Sequence, residues 1–172
     1  VGEAPTRADL PAAAAGVVAQ LATAPDGLWV GTAGGVFRMR GDGATTLVSQ
    51  RPVRNLAAEG TALWLVREEA LFRFSDGVEA RMAEPSPGML FRSLLPRGGG
   101  GAWVGTNIGL FELQDGRLVR APEAVPEQTT RAFLLDREGN LWASVKGAGV
   151  VLLRVPAVRN VGRAEGLPTD GV

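Results

Sequence analysis

Short runs of alternating apolar and polar residues follow one another along this chain, and no stretch holds a helical period. Runs of about four to six residues are separated by clusters of Gly, Asp, Asn and Pro, the punctuation of short strands and tight turns. The pattern predicts an all-β protein. It also repeats. Trp29, Trp64, Trp103 and Trp142 stand 35, 39 and 39 residues apart. Each is preceded by a turn and a small or apolar residue, as in Asp26-Gly27-Leu28-Trp29 and Gly139-Asn140-Leu141-Trp142.

A second apolar run follows each tryptophan: Val36-Phe37-Arg38-Met39, Leu71-Phe72-Arg73-Phe74, Leu110-Phe111-Glu112-Leu113 and Val150-Val151-Leu152-Leu153. An X-Pro step opens each repeat, at Leu10-Pro11, Arg51-Pro52, Ser86-Pro87 and Val125-Pro126. A further one, Leu167-Pro168, begins a repeat that these residues do not complete. Four strands in about 40 residues make one blade of a β-propeller. The expected blades are 10–50, 51–85, 86–124 and 125–165, with 166–172 opening a fifth repeat.

Within a blade, the first strand A is expected at Val17 to Ala22, Val53 to Ala58, Leu90 to Leu95 and Thr130 to Leu135. Strand B carries the tryptophan, strand C the Phe-containing run, and strand D a weaker stretch such as Thr45 to Ser49 or Val78 to Met82. Each blade face must be covered by its neighbour, so B and C need large apolar side chains. Trp29, Trp64, Trp103, Trp142, Phe37, Phe72 and Phe111 are therefore assigned to the blade core. Their repetition at one blade position favours packing over sugar-stacking platforms. Gly31 and Gly105, placed after their tryptophans, allow a close backbone approach or a bulge.

Composition narrows the chemistry. At 172 residues, 45% hydrophobic and 21% charged, with mean hydropathy +0.08, the chain is globular rather than disordered. Its 18 cations balance its 18 anions, so no charge surplus points to nucleic acid or an anionic membrane. All the cations except Lys146 are arginine, a bias that reads as base composition. The absence of Cys and His removes disulfides, thiolate catalysis, Ser-His-Asp chemistry and most zinc sites. No apolar run approaches the roughly 20 residues of a membrane-spanning helix. Val1 to Ala8 carries both charge signs, unlike a signal peptide, and a first residue other than Met suggests an excised or processed segment.

The repeat resembles the two-component regulator propeller family, whose unit runs Gly-Leu-Pro, a strand, Asp-x-x-Gly-x-Leu-Trp-x-Gly-Thr, then Gly-Gly-Leu and an aromatic strand. Leu28 to Val36 fits best, Asp136 to Trp142 fits well, and Gly166-Leu167-Pro168 is the family's opening. Blade two departs most, with Val66-Arg67-Glu68-Glu69 in place of Gly-Thr and the glycines. The resemblance implies a propeller, usually seven-bladed, in the extracytoplasmic sensor region of histidine kinases, hybrid two-component sensors or diguanylate cyclases. It implies a periplasmic location, a small-molecule or carbohydrate ligand, and no enzymatic activity in this segment. An attached kinase or cyclase would lie elsewhere in the full protein, as would any membrane anchor.

Four blades leave an apolar face at each end. Three arrangements answer this: continuation into further blades, pairing with a second copy, or closure as four. The partial fifth repeat favours the first.

Propeller ligands sit near the central channel, on the face built by the B–C and D–A loops. The candidate ligand-binding residues there are Arg51, Arg67, Glu68, Asn107, Gln128 and Lys146, with Glu69 and Glu127 nearby. They are expected to offer a polar rim for a sugar or small acid, although ordinary solvated loops look the same. No catalytic residue, metal site or cofactor is expected. Asp136 to Asn140 lacks the alternating ligands of a calcium loop and reads as a turn. Glu68 and Glu69 point to opposite faces of a strand, and Gly98 to Gly101 is a hairpin tip without a phosphate-loop Lys. The alternatives are a carbohydrate-active propeller lyase or hydrolase, weakened by the lack of His and Tyr, and a generic protein-interaction scaffold.

Overall fold

The computed structural model describes residues 18–68, 70–121 and 125–154. Its first sheet joins β1 (Val18–Ala24), β2 (Gly27–Thr32), β3 (Gly35–Arg40) and β4 (Thr45–Ser49). The second joins β5 (Asn55–Glu59), β6 (Ala62–Val66), β7 (Leu71–Ser75) and β8 (Val78–Ala83). The third joins β9 (Phe91–Gly98), β10 (Gly101–Thr106), β11 (Gly109–Gln114) and β12 (Arg117–Arg120). In the fourth, β13 (Thr130–Leu135), β14 (Leu141–Val145) and β15 (Gly149–Leu153) pair. A fourth strand of that sheet would come after Arg154, outside the described residues, as do Leu10-Pro11 and the fifth-repeat opening at 166–172.

Strands pair antiparallel with their chain neighbours in every sheet. This is the plan of propeller blades, and the chain is all-β with propeller architecture. The inner strands β1, β5, β9 and β13 meet one another in that order, so each sheet points its first strand at a common axis.

Packing between sheets obeys one rule. Trp29 faces the second sheet and packs with Val53, Leu56, Leu63, Leu65 and Phe72. Trp64 packs with Leu94, Ala102, Val104, Phe111 and Leu113 of the third, and Trp103 with Leu141, Ala143 and Val145 of the fourth. Trp29, Trp64 and Trp103 thus insert forward, into the next sheet along the chain. Trp64, between two complete sheets, is 0% exposed. Trp142 departs from the core position expected of it. It is 37% exposed beside Leu134 and Val150, because no further sheet among the described residues receives it.

The glycines after the tryptophans serve close approach. A Cβ on Gly31 would lie 2.7 Å from both Leu56 Cδ2 and Val53 Cγ1, and one on Gly105 would lie 2.7 Å from the Thr130 carbonyl oxygen. The next blade is therefore pressed against bare backbone.

Arginine has a structural use that base composition does not account for. Arg38 lies 4.3 Å above the Trp29 ring and pairs with Asp26. Arg97 lies 4.9 Å above Trp103 and pairs with Glu112. Arg51, Arg67 and Arg81 all stack near Phe72, at 5.0, 5.8 and 5.7 Å. A planar guanidinium can cover a ring and keep an ion pair at once, which a lysine ammonium does poorly. The turn acids also cap the indoles. Glu59 accepts from Trp64 Nε1 at 2.9 Å, and Asp136 accepts from Trp142 Nε1 at 2.9 Å.

Candidate functional site

The B–C loops and D–A connectors share one face, tied by a repeated backbone contact. Arg54 N donates to Val66 O at 2.9 Å, Asn107 N to Leu90 O at 3.1 Å, and Lys146 N to Thr129 O at 2.9 Å. In blades one and three the loop is also locked by a buried threonine. Thr32 Oγ1 accepts from Gly34 N at 3.1 Å, and Thr106 Oγ1 accepts from Ile108 N at 3.1 Å.

Arg67 stands at this threonine position in blade two, one register step beyond Val66. Its side chain is 1% exposed. Nη1 donates to the carbonyls of Arg51 and Pro52 at 2.5 and 2.7 Å, and Nη2 to Ser49 Oγ at 3.0 Å and Glu79 at 2.7 Å. The repeat pattern places Arg67 on the ligand rim. Its guanidinium instead binds the connector between two blades, and only Nε lacks a partner.

The other rim candidates are spread over three blades. Arg51 is half-exposed and pairs with Glu79 at 3.0 Å. Glu68 is exposed and takes Arg54 at 3.0 Å. Arg51, Arg54, Arg67 and Glu68 surround a hollow of about 250 Å³. Asn107 is committed to the connector before β9, accepting from Leu90 N at 2.6 Å and donating to Gly88 O at 2.9 Å. Gln128 is exposed against the last B–C loop, where a Cβ on Gly147 would come within 2.8 Å of its Oε1. Lys146 is exposed in that same loop. Glu69 falls outside the described residues. These side chains do not converge on one cavity. They divide between the hollow at blade two and the two connectors after it.

A cavity larger than the hollow at blade two lies on the axis. A groove of about 520 Å³ runs between the four inner strands, lined by Gln20, Thr23, Asn55, Ser93 and Arg131 among apolar residues. That volume is within the roughly 300–1,000 Å³ range of small-molecule sites. Gln20, Asn55 and Ser93 pair with Gly31, Val66 and Gly105. They are register equivalents, so three blades each bring one polar side chain to the same level. Ser93 Oγ donates to Thr130 O at 3.2 Å. Gln20 and Asn55 make no side-chain hydrogen bond among the described residues.

Just above this level the inner strands bulge. The register slips between Val18 and Gln20, around Arg92 opposite Gly105 and Thr106, and between Thr130 and Ala132. Ala19, Arg92 and Arg131 are the extra residues. A bulge re-aims its side chain out of the strict alternation, and Arg92 and Arg131 are both exposed. The strand pattern marks neither the groove nor the bulges. One sequence signal does point to the groove: Gln20, Asn55, Ser93 and Ala132 stand nine or ten residues before their tryptophans.

Titration is perturbed away from the groove. The Asn140 side chain first, then the Trp142 indole and backbone N–H groups, hold Asp136 below the usual carboxylate range. Asp136 Oδ1 also accepts from Asn140 N at 2.7 Å, so its loop is a turn. Burial, and then the Arg40 charge, lower the Arg38 pKa. Among the described residues no group of three or more acidic side chains converges as metal ligands.

Radial sheets around a cleft of small-molecule size define a propeller arc with an axial groove. Known proteins bear out the architecture. No family model and no curated protein matches the chain. Solved structures do. The extracellular domain of the hybrid two-component system BT4673 from B. thetaiotaomicron matches with TM-score 0.67 at 20% identity, over 82% of this chain and 22% of that one. That of the hybrid two-component system BT3049 from the same organism matches with TM-score 0.64 at 18% identity, over 80% and 20%. A protein described as a gluconolactonase matches with TM-score 0.58 at 22% identity, over 77% and 56%. The chain spans about a fifth of the length of these two extracellular domains. At these identities the likeness establishes the fold.

Proposed function

We propose that these blades belong to the extracytoplasmic input region of a bacterial signalling protein, and that their axial groove reads a small soluble ligand. The observation that carries this reading is the groove itself, with Gln20 and Asn55 at one level and without committed side-chain partners among the described residues. The likeness to extracellular domains of two-component systems supports the same assignment. A two-component kinase or a diguanylate cyclase elsewhere in the full protein would supply the output, and a periplasmic location accords with that reading.

The enzymatic alternative finds less support in this groove. Glycoside hydrolysis needs two opposed carboxyl groups, and the described residues lining the groove include no Asp or Glu.

The test is a melting-temperature screen of sugars, sugar acids and organic acids on the full-length protein. A ligand at about 100 times its Kd stabilises the folded state by about 2.7 kcal/mol. Stabilisation without consumption of the ligand, lost in Asn55→Leu, is the expected result. Turnover of a panel member by the protein would replace sensing with catalysis. Ligand binding that ignores Asn55→Leu and Gln20→Leu would move the site out of the groove.

A further inference from the structure

The groove mouth carries, among the described residues, positive charge without a carboxylate partner. Among the described residues, Arg38, Arg40, Arg51, Arg54, Arg67, Arg73, Arg81, Arg97 and Arg120 each stand within ion-pair distance of a carboxylate. Arg92 and Arg131 do not, and neither do Arg117, Arg137, Arg154 and Lys146, but only Arg92 and Arg131 sit on bulges of the inner strands. Three described carboxylates of this face are committed elsewhere: Glu68 to Arg54, Glu79 to Arg51 and Arg67, and Glu127 to Arg120.

These two arginines are not scattered. Each is the extra residue of a bulge at the same register point of an inner strand, in adjacent blades. Arg131 lines the axial groove. Arg92 lines an adjoining hollow of about 270 Å³, together with Arg54, Arg67 and Glu68, the last already paired with Arg54. Below them lie the free amides of Gln20 and Asn55. A guanidinium offers a fork of N–H donors that matches a carboxylate, and in a concave site its field is focused rather than dispersed.

We propose that the groove mouth selects a carboxylate-bearing, hydroxyl-rich small molecule of the sugar-acid class. Arg131 engages the carboxylate, Arg92 adds charge at the rim, and Gln20 and Asn55 hydrogen-bond ring hydroxyls. This rests on the axial groove being the ligand site, and it gives that ligand a charge.

Calorimetric titration of the full-length protein with galacturonate, galactose and succinate tests it, at low and high salt. Galacturonate is expected to bind, at least tenfold more tightly than galactose, and to weaken as salt screens the charge. Arg131→Gln is expected to lower its affinity by roughly 10- to 100-fold, with Arg92→Gln smaller. Arg131→Lys recovers only part, since it keeps charge without the fork. Both arginines are exposed, and an unchanged melting temperature of the unliganded variants shows that the fold is intact. Succinate binding as tightly as galacturonate would overturn the sugar part and keep the carboxylate. Galactose binding equally well, lost in Asn55→Leu but not in Arg131→Gln, would overturn the charge selection and leave the groove as the ligand site. Failure of galacturonate to bind at all would overturn the inference as well.

Discussion

The buried guanidinium of Arg67 donates to Glu79 across 2.7 Å, while its other amino group holds the carbonyls of Arg51 and Pro52. Two blades are joined through this one side chain, because Ser49 ends the last strand of the first sheet, Arg51 and Pro52 lie in the connector after it, and Glu79 lies on the outer strand of the second. Truncation would leave the Arg51 and Pro52 carbonyls without their donor and Glu79 with Arg51 as its remaining partner. Arg67→Ala is expected to cost about 3–5 kcal/mol, the cost of breaking a buried pair from one side. Glu79→Gln, which keeps an acceptor, is expected to cost less. Urea unfolding of both variants measures the difference.

The tryptophans occupy one repeat position but not one environment. Trp64→Ala opens a void between two full sheets and is expected to destabilise by about 3–5 kcal/mol. In residues 1–172 alone, Trp142→Ala removes a side chain that is already 37% exposed and is expected to cost under about 1 kcal/mol. Acrylamide quenching of single-tryptophan variants gives an independent check, with Trp142 the most accessible.

Gly105→Ala places a Cβ against the Thr130 carbonyl and the Ser93 hydroxyl. The third and fourth blades would have to move apart, at about 1–3 kcal/mol. Gly41→Ala is the control. Its Cβ meets nothing within 4 Å, and its effect should stay within about 0.5 kcal/mol. Thermal or urea unfolding of the two variants makes the comparison.

Asp136 gives a pH signature. Its pKa is lowered in the folded state, so the cap it provides is present in full above the unfolded aspartate value of about 3.9. It is lost as pH falls through the lowered folded value. The Trp142 indole N–H resonance is expected to shift in that acid range and to lose the transition in Asp136→Asn. A midpoint at or above the ordinary aspartate value would count against the cap.

The blades are legible in the sequence because their signals are periodic. Strand β13 occupies Thr130–Leu135 and β4 occupies Thr45–Ser49, where the alternation places them. The tryptophan and phenylalanine phases require sheets packed face to face. The features that escape depend on partners that no local pattern encodes. Arg67 looks like any loop arginine, since nothing nearby in sequence reveals Glu79 folding back beside it. Arg92 and Arg131 look like ordinary strand positions, because a bulge inserts one residue without disturbing the apolar count. Trp142 differs from Trp64 only in having no described sheet packed over its outer side.

The forward insertion of Trp29, Trp64 and Trp103 gives the arc a direction, like bricks with a stud on one side and a socket on the other. Any stretch cut from one stud to the next carries the same kind of face at each end, so the arc extends by whole blades in one direction. Blade two is the exception. Its Arg67 is keyed to Ser49, Arg51 and Pro52 of the preceding repeat and connector, and a blade transplanted without them would arrive with its key and no lock.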